Sequence, residues 1–199
     1  MNDPKIENGM AVTSAGTWLA ARGQPAACRA TSWTRGLKGL FVPDRAVFAV
    51  VGTSGEAWFA DAARPFLTQL TCAAPITAVS AKVLVAPFAA RTGAETVRLV
   101  PMSWRGAVRT TVFGREWVVL ATRSRMERAV LEENEVLTVR AEAAVAWTTK
   151  RPVGFVPRLG LADILLPRRQ PGLAMHFYGP GVVWFEGSSV SGGGGRRAA

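Results

Sequence analysis

Short apolar runs rich in Val, Phe and Trp alternate along this chain with Gly, Pro and polar punctuation. The runs are Ala46–Val51, Val83–Ala86, Val97–Val100, Trp117–Leu120, Val136–Val139, Leu173–Tyr178 and Val182–Phe185, each of strand length and bounded by turn residues. No window sustains the three-to-four spacing of a long amphipathic helix. The one helical alternative, Ser124–Glu133, places Arg128 and Glu132 at i, i+4. Strands on both sides of it favour a strand that ends in an exposed turn at Glu132-Glu133-Asn134-Glu135. Many short strands predict an all-β sandwich or barrel.

A repeat sharpens that prediction. The pattern Gly-x-x-Trp followed by an apolar residue occurs at Gly55/Trp58, Gly114/Trp117 and Gly181/Trp184, with spacings of 59 and 67 residues between the tryptophans. Upstream lie similar apolar elements, Trp18–Arg22, Val83–Pro87 and Val136–Arg140. Each unit is therefore expected to open with a strand and close with a hairpin whose turn carries the glycine, as in Gly52–Gly55 and Gly179–Gly181, because glycine tolerates positive φ. The tryptophan then starts the return strand and points into its own unit's core. That reading is preferred to an aromatic platform for stacking bases, since one residue type at the same place in three repeats suits three similar cores.

The ends read differently from the middle. Residues 1–9 lack the order of a signal peptide or presequence and are expected to be a flexible arm. Residues 191–199, Gly-rich and ending in Arg-Arg-Ala-Ala, are expected to be a flexible tail. Between them, 10–190 forms one body of repeats at about 10–63, 64–124 and 125–190. No apolar stretch is long enough for a membrane-spanning helix, and two cysteines, Cys28 and Cys72, in 199 residues do not make a disulfide scaffold. A reducing, cytoplasmic setting is expected.

Catalytic provision is thin. The single histidine, His176, sits in the strand-like Leu173–Tyr178 and reads as a half-buried strand residue rather than a base. No His-rich metal site and no carboxylate pair of recognisable spacing emerges. The expectation is no catalytic residue, no metal and no cofactor.

Charge supplies the positive clue. The chain carries +10, with 20 Arg against 4 Lys, and arginine suits flat anionic partners. Residues 1–80 hold 7 basic and 5 acidic side chains, whereas residues 81–199 hold 17 and 9, so the excess lies in the second and third units. Candidate anion-contact residues are Arg105, Arg109, Arg115, Arg123, Arg125, Arg128, Arg151, Arg158, Arg168 and Arg169.

Three stretches resemble the altered-inheritance-of-mitochondria family numbered twenty-four and its bacterial homologues. They are Gly36–Phe41, then Ala63–Phe66 running through Ile76–Val79 into Lys82–Ala89, and Gly179-Pro-Gly-Val-Val-Trp-Phe185, the most specific. The resemblance spans about Trp18 to Ser188. It implies three repeated β-barrel or β-sandwich-like units with the fold of the tryptophan-RNA-binding attenuator protein, a double-stranded β-helix type that often forms trimers. It also implies a non-enzymatic role, linked in mitochondrial members to inner-membrane organisation. The family's Gly-rich turn is replaced here by Val42–Arg45 and Arg168–Gly172, and the loop Met102–Gly106 also diverges.

The expected function is thus a basic β-repeat scaffold that docks on an anionic membrane surface or a larger, membrane-bound complex, peripheral to the inner face of a membrane. The alternative is a nucleic-acid-binding β-ring, although the Lys/aromatic signatures of common RNA modules are missing. Unpaired strand edges suggest a homo-trimer.

Overall fold

In a computed structural model of the chain, residues 3–20, 27–30, 33–35, 47–71, 73–98, 107–149, 154–158 and 172–187 are described. The first strands are β1 (Lys5–Glu7), β2 (Met10–Ala20), β3 (Ala27–Ala30), β4 (Trp33–Arg35) and β5 (Val47–Phe59). Next come β6 (Phe66–Thr71), β7 (Ile76–Val79), β8 (Val83–Pro87), β9 (Arg91–Arg98), β10 (Ala107–Phe113) and β11 (Trp117–Thr122). The last are β12 (Met126–Leu131), β13 (Val136–Arg140), β14 (Ala144–Trp147), β15 (Gly154–Arg158), β16 (Gly172–Tyr178) and β17 (Gly181–Glu186). Helical structure among the described residues is limited to two 3₁₀ turns, Ser80–Lys82 and Phe88–Ala90. The expected all-β class is what forms. Ser124–Glu133 is strand followed by turn, with Asn134 at φ 72°.

Among the described residues all pairing is antiparallel, in three sheets. One has the order β3-β5-β2-β8-β11-β6, with β1 on β2 and β4 on β5; a second runs β12-β17-β14-β7-β10-β9; a third is β13-β16-β15. Within these, β11 is flanked by β6 and β8 while β10 is flanked by β7 and β9. Likewise β17 is flanked by β12 and β14, and β16 by β13 and β15.

The glycine hairpins take another form. Gly52–Gly55 is not a turn between strands but a kink inside β5: Ser14 faces Glu56 while Gly16 faces Val51, so extra residues bulge out and Gly55 sits at φ 146°. Gly114 follows β10 in the second sheet and precedes β11 in the first; Gly179 and Pro180 lead from β16 in the third sheet to β17 in the second. These glycines therefore mark corners where the chain changes sheet. The upstream elements are not equivalent either, since Val83–Pro87 pairs with the tryptophan strand β11, whereas Val136–Arg140 pairs with the strand before β17.

The expected N-terminal arm is partly ordered. Lys5–Glu7 pairs with Met10–Val12, and Asn8 and Gly9 lie at φ 51° and 72°, the two positive values that an Asn-Gly hairpin turn requires. Residues 36–46, 99–106 and 188–199, which include the Gly36–Phe41, Val42–Arg45 and Met102–Gly106 loops and the C-terminal tail, lie outside the described residues, as does the Arg168–Pro171 part of the Arg168–Gly172 loop.

Alternation along β11 shows how the core is built. Val118 and Leu120 face a cluster with Leu70, Ile76, Phe113 and Val145, while Trp117, Val119 and Ala121 face another with Ala11, Ala57 and Phe59. Both faces of the strand are thus buried, as its unbroken apolar run requires. A third cluster joins Val79, Leu131, Val139, Met175, Phe177 and Val183, with Trp147 tilted against Phe177 at a centroid distance of 5.2 Å. The tryptophans join clusters that combine their own stretch, Leu84 and Val85 for Trp117 and Val145 and Ala146 for Trp184, with the preceding one. Trp117 packs with Ala11, Ala57 and Phe59, and Trp184 packs among Leu70, Ile76, Phe113 and Leu120. Each therefore bridges two successive stretches of chain.

Gly181 combines φ 156° with a crowded site, where a Cβ would stand 2.9 Å from Cα and Cγ2 of Thr149. Gly181→Ala should cost about 3 kcal/mol in urea unfolding, from backbone strain and overpacking together. Gly9→Ala, at φ 72° with open space around it, should cost only about 1 kcal/mol. Equal losses would contradict this packing at the β17 corner.

Candidate functional site

The connection from β11 to β12 is short and pinned. Thr122 Oγ1 donates to the Ser124 carbonyl at 2.8 Å and Ser124 Oγ to the Gly187 carbonyl at 2.6 Å. The Gly187 amide donates back to the Arg125 carbonyl at 3.0 Å, and the Arg123 amide to Glu186 Oε1 at 3.1 Å. With the backbone so held, Arg123 and Arg125 project into solvent. Arg128 is exposed a little further on, in β12, opposite Trp184. β12 is the outermost strand of its sheet, and Val130 upon it is 60% exposed. The strand's other end opens into the exposed acidic turn Glu132–Glu135, where the Glu135 carboxylate accepts from the Glu132 amide at 2.7 Å. This edge is therefore dipolar, basic at its start and acidic at its end.

Of the candidate arginines, these three are exposed within six residues of chain, with the exposed Glu127 among them. Arg115 is exposed at the opposite end of β11, roughly 20 Å away at strand rise. Arg109 lies on β10 and Arg158 on β15. Arg105, Arg151, Arg168 and Arg169 lie outside the described residues. Of the repeat positions, Gly55 is at the kink within β5, Gly114 and Gly181 are at the corners, Trp117 and Trp184 are buried, and Trp58 is half-buried.

A lysine outside the arginine clusters has the most constrained charge among the described residues. Lys82, 7% exposed at the end of the first 3₁₀ turn, donates from Nζ to Glu186 Oε1 at 3.0 Å and to the Glu142 carbonyl at 2.8 Å. Glu186 thus holds a buried ammonium and the Arg123 amide at once. Arg64 stands close by, donating to the Ala81 carbonyl and lying 3.8 Å from Asp61. Burial pushes the Lys82 ammonium below its ordinary value; Glu186 counteracts this, while Arg64 and Arg123 add to it. The sequence signal was a lone lysine between two apolar strands, which invites a buried partner.

His176, half-buried on β16, shares a 2.8 Å hydrogen bond between Nδ1 and Thr138 Oγ1 on the facing strand. No group of three or more His, Cys, Asp or Glu gathers among the described residues. Nor is any helix among them long and apolar enough to cross a membrane.

No family model matches the chain. No curated protein sequence matches it either. Among solved structures, the crystal structure of a Streptococcus pyogenes protein from a structural-genomics consortium is similar, with a TM-score of 0.70 over 89% of this chain and 88% of that one, at 13% identity. That likeness is one of fold.

Breaking a buried ion pair from one side strands the other charge. Glu186→Gln should therefore cost about 3 kcal/mol of unfolding free energy, whereas Lys82→Met with Glu186→Leu should recover most of it. Between its lowered folded value and the ordinary 10.5 of Lys82, the unfolded chain binds more protons at this group, so its contribution to stability rises with pH. The stability difference, wild type minus Lys82→Met, should accordingly grow from neutral pH toward 10.5. A flat or falling difference in pH-resolved denaturation would refute the dominance of burial.

Proposed function

We propose that the protein is a non-enzymatic scaffold of three repeated β units that docks by a basic sheet edge on an anionic membrane face. It is further proposed to belong with the bacterial homologues of the altered-inheritance-of-mitochondria family numbered twenty-four. The unit has six strands: the sixth, carrying the repeat tryptophan, lies between the first and third, and the fifth lies between the second and fourth. β6–β11 and β12–β17 both follow this scheme. In the first unit the two halves of β2 serve as first and second strands, β3 and β4 as third and fourth, and the two halves of β5 as fifth and sixth. Family membership is supported by Gly179–Phe185, the stretch that spans the corner from β16 to β17.

One observation carries the docking reading. Arg123, Arg125 and Arg128 are exposed within six residues of chain at one end of a strand that is outermost among the described residues, with Glu127 the one acid between them and Val130 exposed beyond. Near an anionic bilayer each basic side chain contributes about 1 kcal/mol, and the apolar residue gains by entering the headgroup region. The acidic turn at the far end is repelled, so the edge meets the surface basic end first. Attachment is peripheral, on a cytoplasmic membrane face.

Vesicle co-sedimentation tests this. The protein should bind phosphatidylserine-containing vesicles and not phosphatidylcholine alone, less so as salt rises. Replacing Arg123, Arg125 and Arg128 together with Gln should weaken binding by about 100-fold, the equivalent of about 3 kcal/mol. No binding to anionic vesicles at low salt, or unchanged binding by the variant, overturns the reading. A steeply salt-dependent mobility shift with RNA in their place would favour the nucleic-acid alternative.

A further inference from the structure

The proposed units are tied by joints that follow one rule: the second strand of one unit pairs with the third strand of the next. In the first joint Trp18, Leu19 and Ala20 of β2 face Pro87, Ala86 and Val85 of β8. In the second, Thr77 and Ala78 of β7 face Trp147 and Ala146 of β14. Applied once more, the rule matches β13, the second strand of the third unit, with β3, the third strand of the first.

Both strands are placed for it. Among the described residues β13 pairs with β16 alone and β3 with β5 alone, each outermost in its sheet. The six-stranded sheet consists of β12, β17 and β14 from the third unit followed by β7, β10 and β9 from the second. The same arrangement recurs one unit earlier as β6, β11 and β8 followed by β2, β5 and β4. What remains is β13, β16 and β15 in one place and the β2, β5 and β3 set of the first unit in another. Joined, they make a third sheet of the same kind. Left apart, β13 offers water a row of unpaired backbone groups, with Val136 at its start 54% exposed.

We propose that β13 seats on β3 of the same chain and closes the three units into a ring with approximate threefold symmetry. The inference rests on the three-unit reading, and the register follows from it. Ala27 faces Trp58 as Ala146 faces Trp184, and Cys28 faces Ala57 as Trp147 faces Val183. On the other side Leu137 faces Phe177 as Ile76 faces Phe113, so Thr138 and Val139 hold the places of Thr77 and Ala78. Thr138 therefore stands opposite Cys28, and Val139 opposite Ala27. The partner is the chain's own β3 because both existing joints are made within the chain, and an intramolecular strand has an effective concentration of about millimolar. The same contact between copies would be heterologous and would run on from molecule to molecule. Ring closure also meets, within one chain, the edge-pairing need that suggested a homo-trimer.

Cross-linking of the full chain tests the ring. With Cys72→Ser and Thr138→Cys, mild oxidation should join the new thiol to the native Cys28 within one molecule, giving a faster-migrating monomer on non-reducing gels and a monomer by light scattering. Ala27→Cys with Val139→Cys, in a background of Cys28→Ser and Cys72→Ser, should do the same and guards against loss of the Thr138–His176 bond. Ala78→Cys with Ala146→Cys in that background probes the joint between β7 and β14. If that control cross-links while neither test pair does, or if the test pairs yield only disulfide-linked dimers, the ring is overturned and the three-unit reading stands. If the control fails as well, the three-unit reading falls and the ring with it.

Discussion

Pairing of strands distant in sequence, β2 with β8 and β7 with β14, is the constraint on which the rest of this structure depends. Each joint supplies backbone partners to strands that lie next to buried apolar surface, where an unpaired amide or carbonyl is costly. The joints also bring the corners together, so that Trp117 enters a cluster with Ala11 and Phe59, and Trp184 one with Ile76 and Phe113. A stretch of chain detached from its predecessor would leave its tryptophan with only part of its cluster. Stability of this kind is shared between neighbours, as in repeat proteins, rather than held within each segment.

The buried Lys82 belongs to the same constraint. It ends the turn between β7 and β8 and reaches Glu186 at the end of β17 and the carbonyl of Glu142 between β13 and β14. One ammonium thereby ties together three connections at the β7–β14 joint. Glu186 passes the restraint on to the Arg123 amide, which fixes the backbone that carries the exposed Arg123 and Arg125. The backbone of the basic edge is hydrogen-bonded to the same carboxylate that holds the buried ammonium, so interior and surface chemistry meet at Glu186.

Features that depend on a few neighbouring residues were legible in the sequence. Strand runs such as Trp117–Leu120 are visible as unbroken apolar segments, and the strands on both sides of Ser124–Glu133 favour a strand there, which forms with Asn134 at positive φ in the turn that follows. The Asn8-Gly9 hairpin was equally local and was passed over because the segment around it is short and polar. Arg123, Arg125 and Arg128 could be picked out as a charge cluster, but nothing local separated them from Arg115, which a full strand length removes from them.

What the sequence determined by itself was the all-β class, positions such as Gly55 and Gly181 where the backbone takes a positive φ, and an excess of arginine. Tertiary structure alone decided which sheet each strand joins, that the Gly-x-x-Trp turns are corners between sheets or a kink within β5, and that Trp117 and Trp184 bridge two successive segments. The reason is physical. Alternation of period two says which face of a strand is buried, but every antiparallel neighbour offers the same row of donors and acceptors. The choice of neighbour is settled by packing among residues far apart in the chain, and the burial of Lys82 against Glu186 follows from that choice.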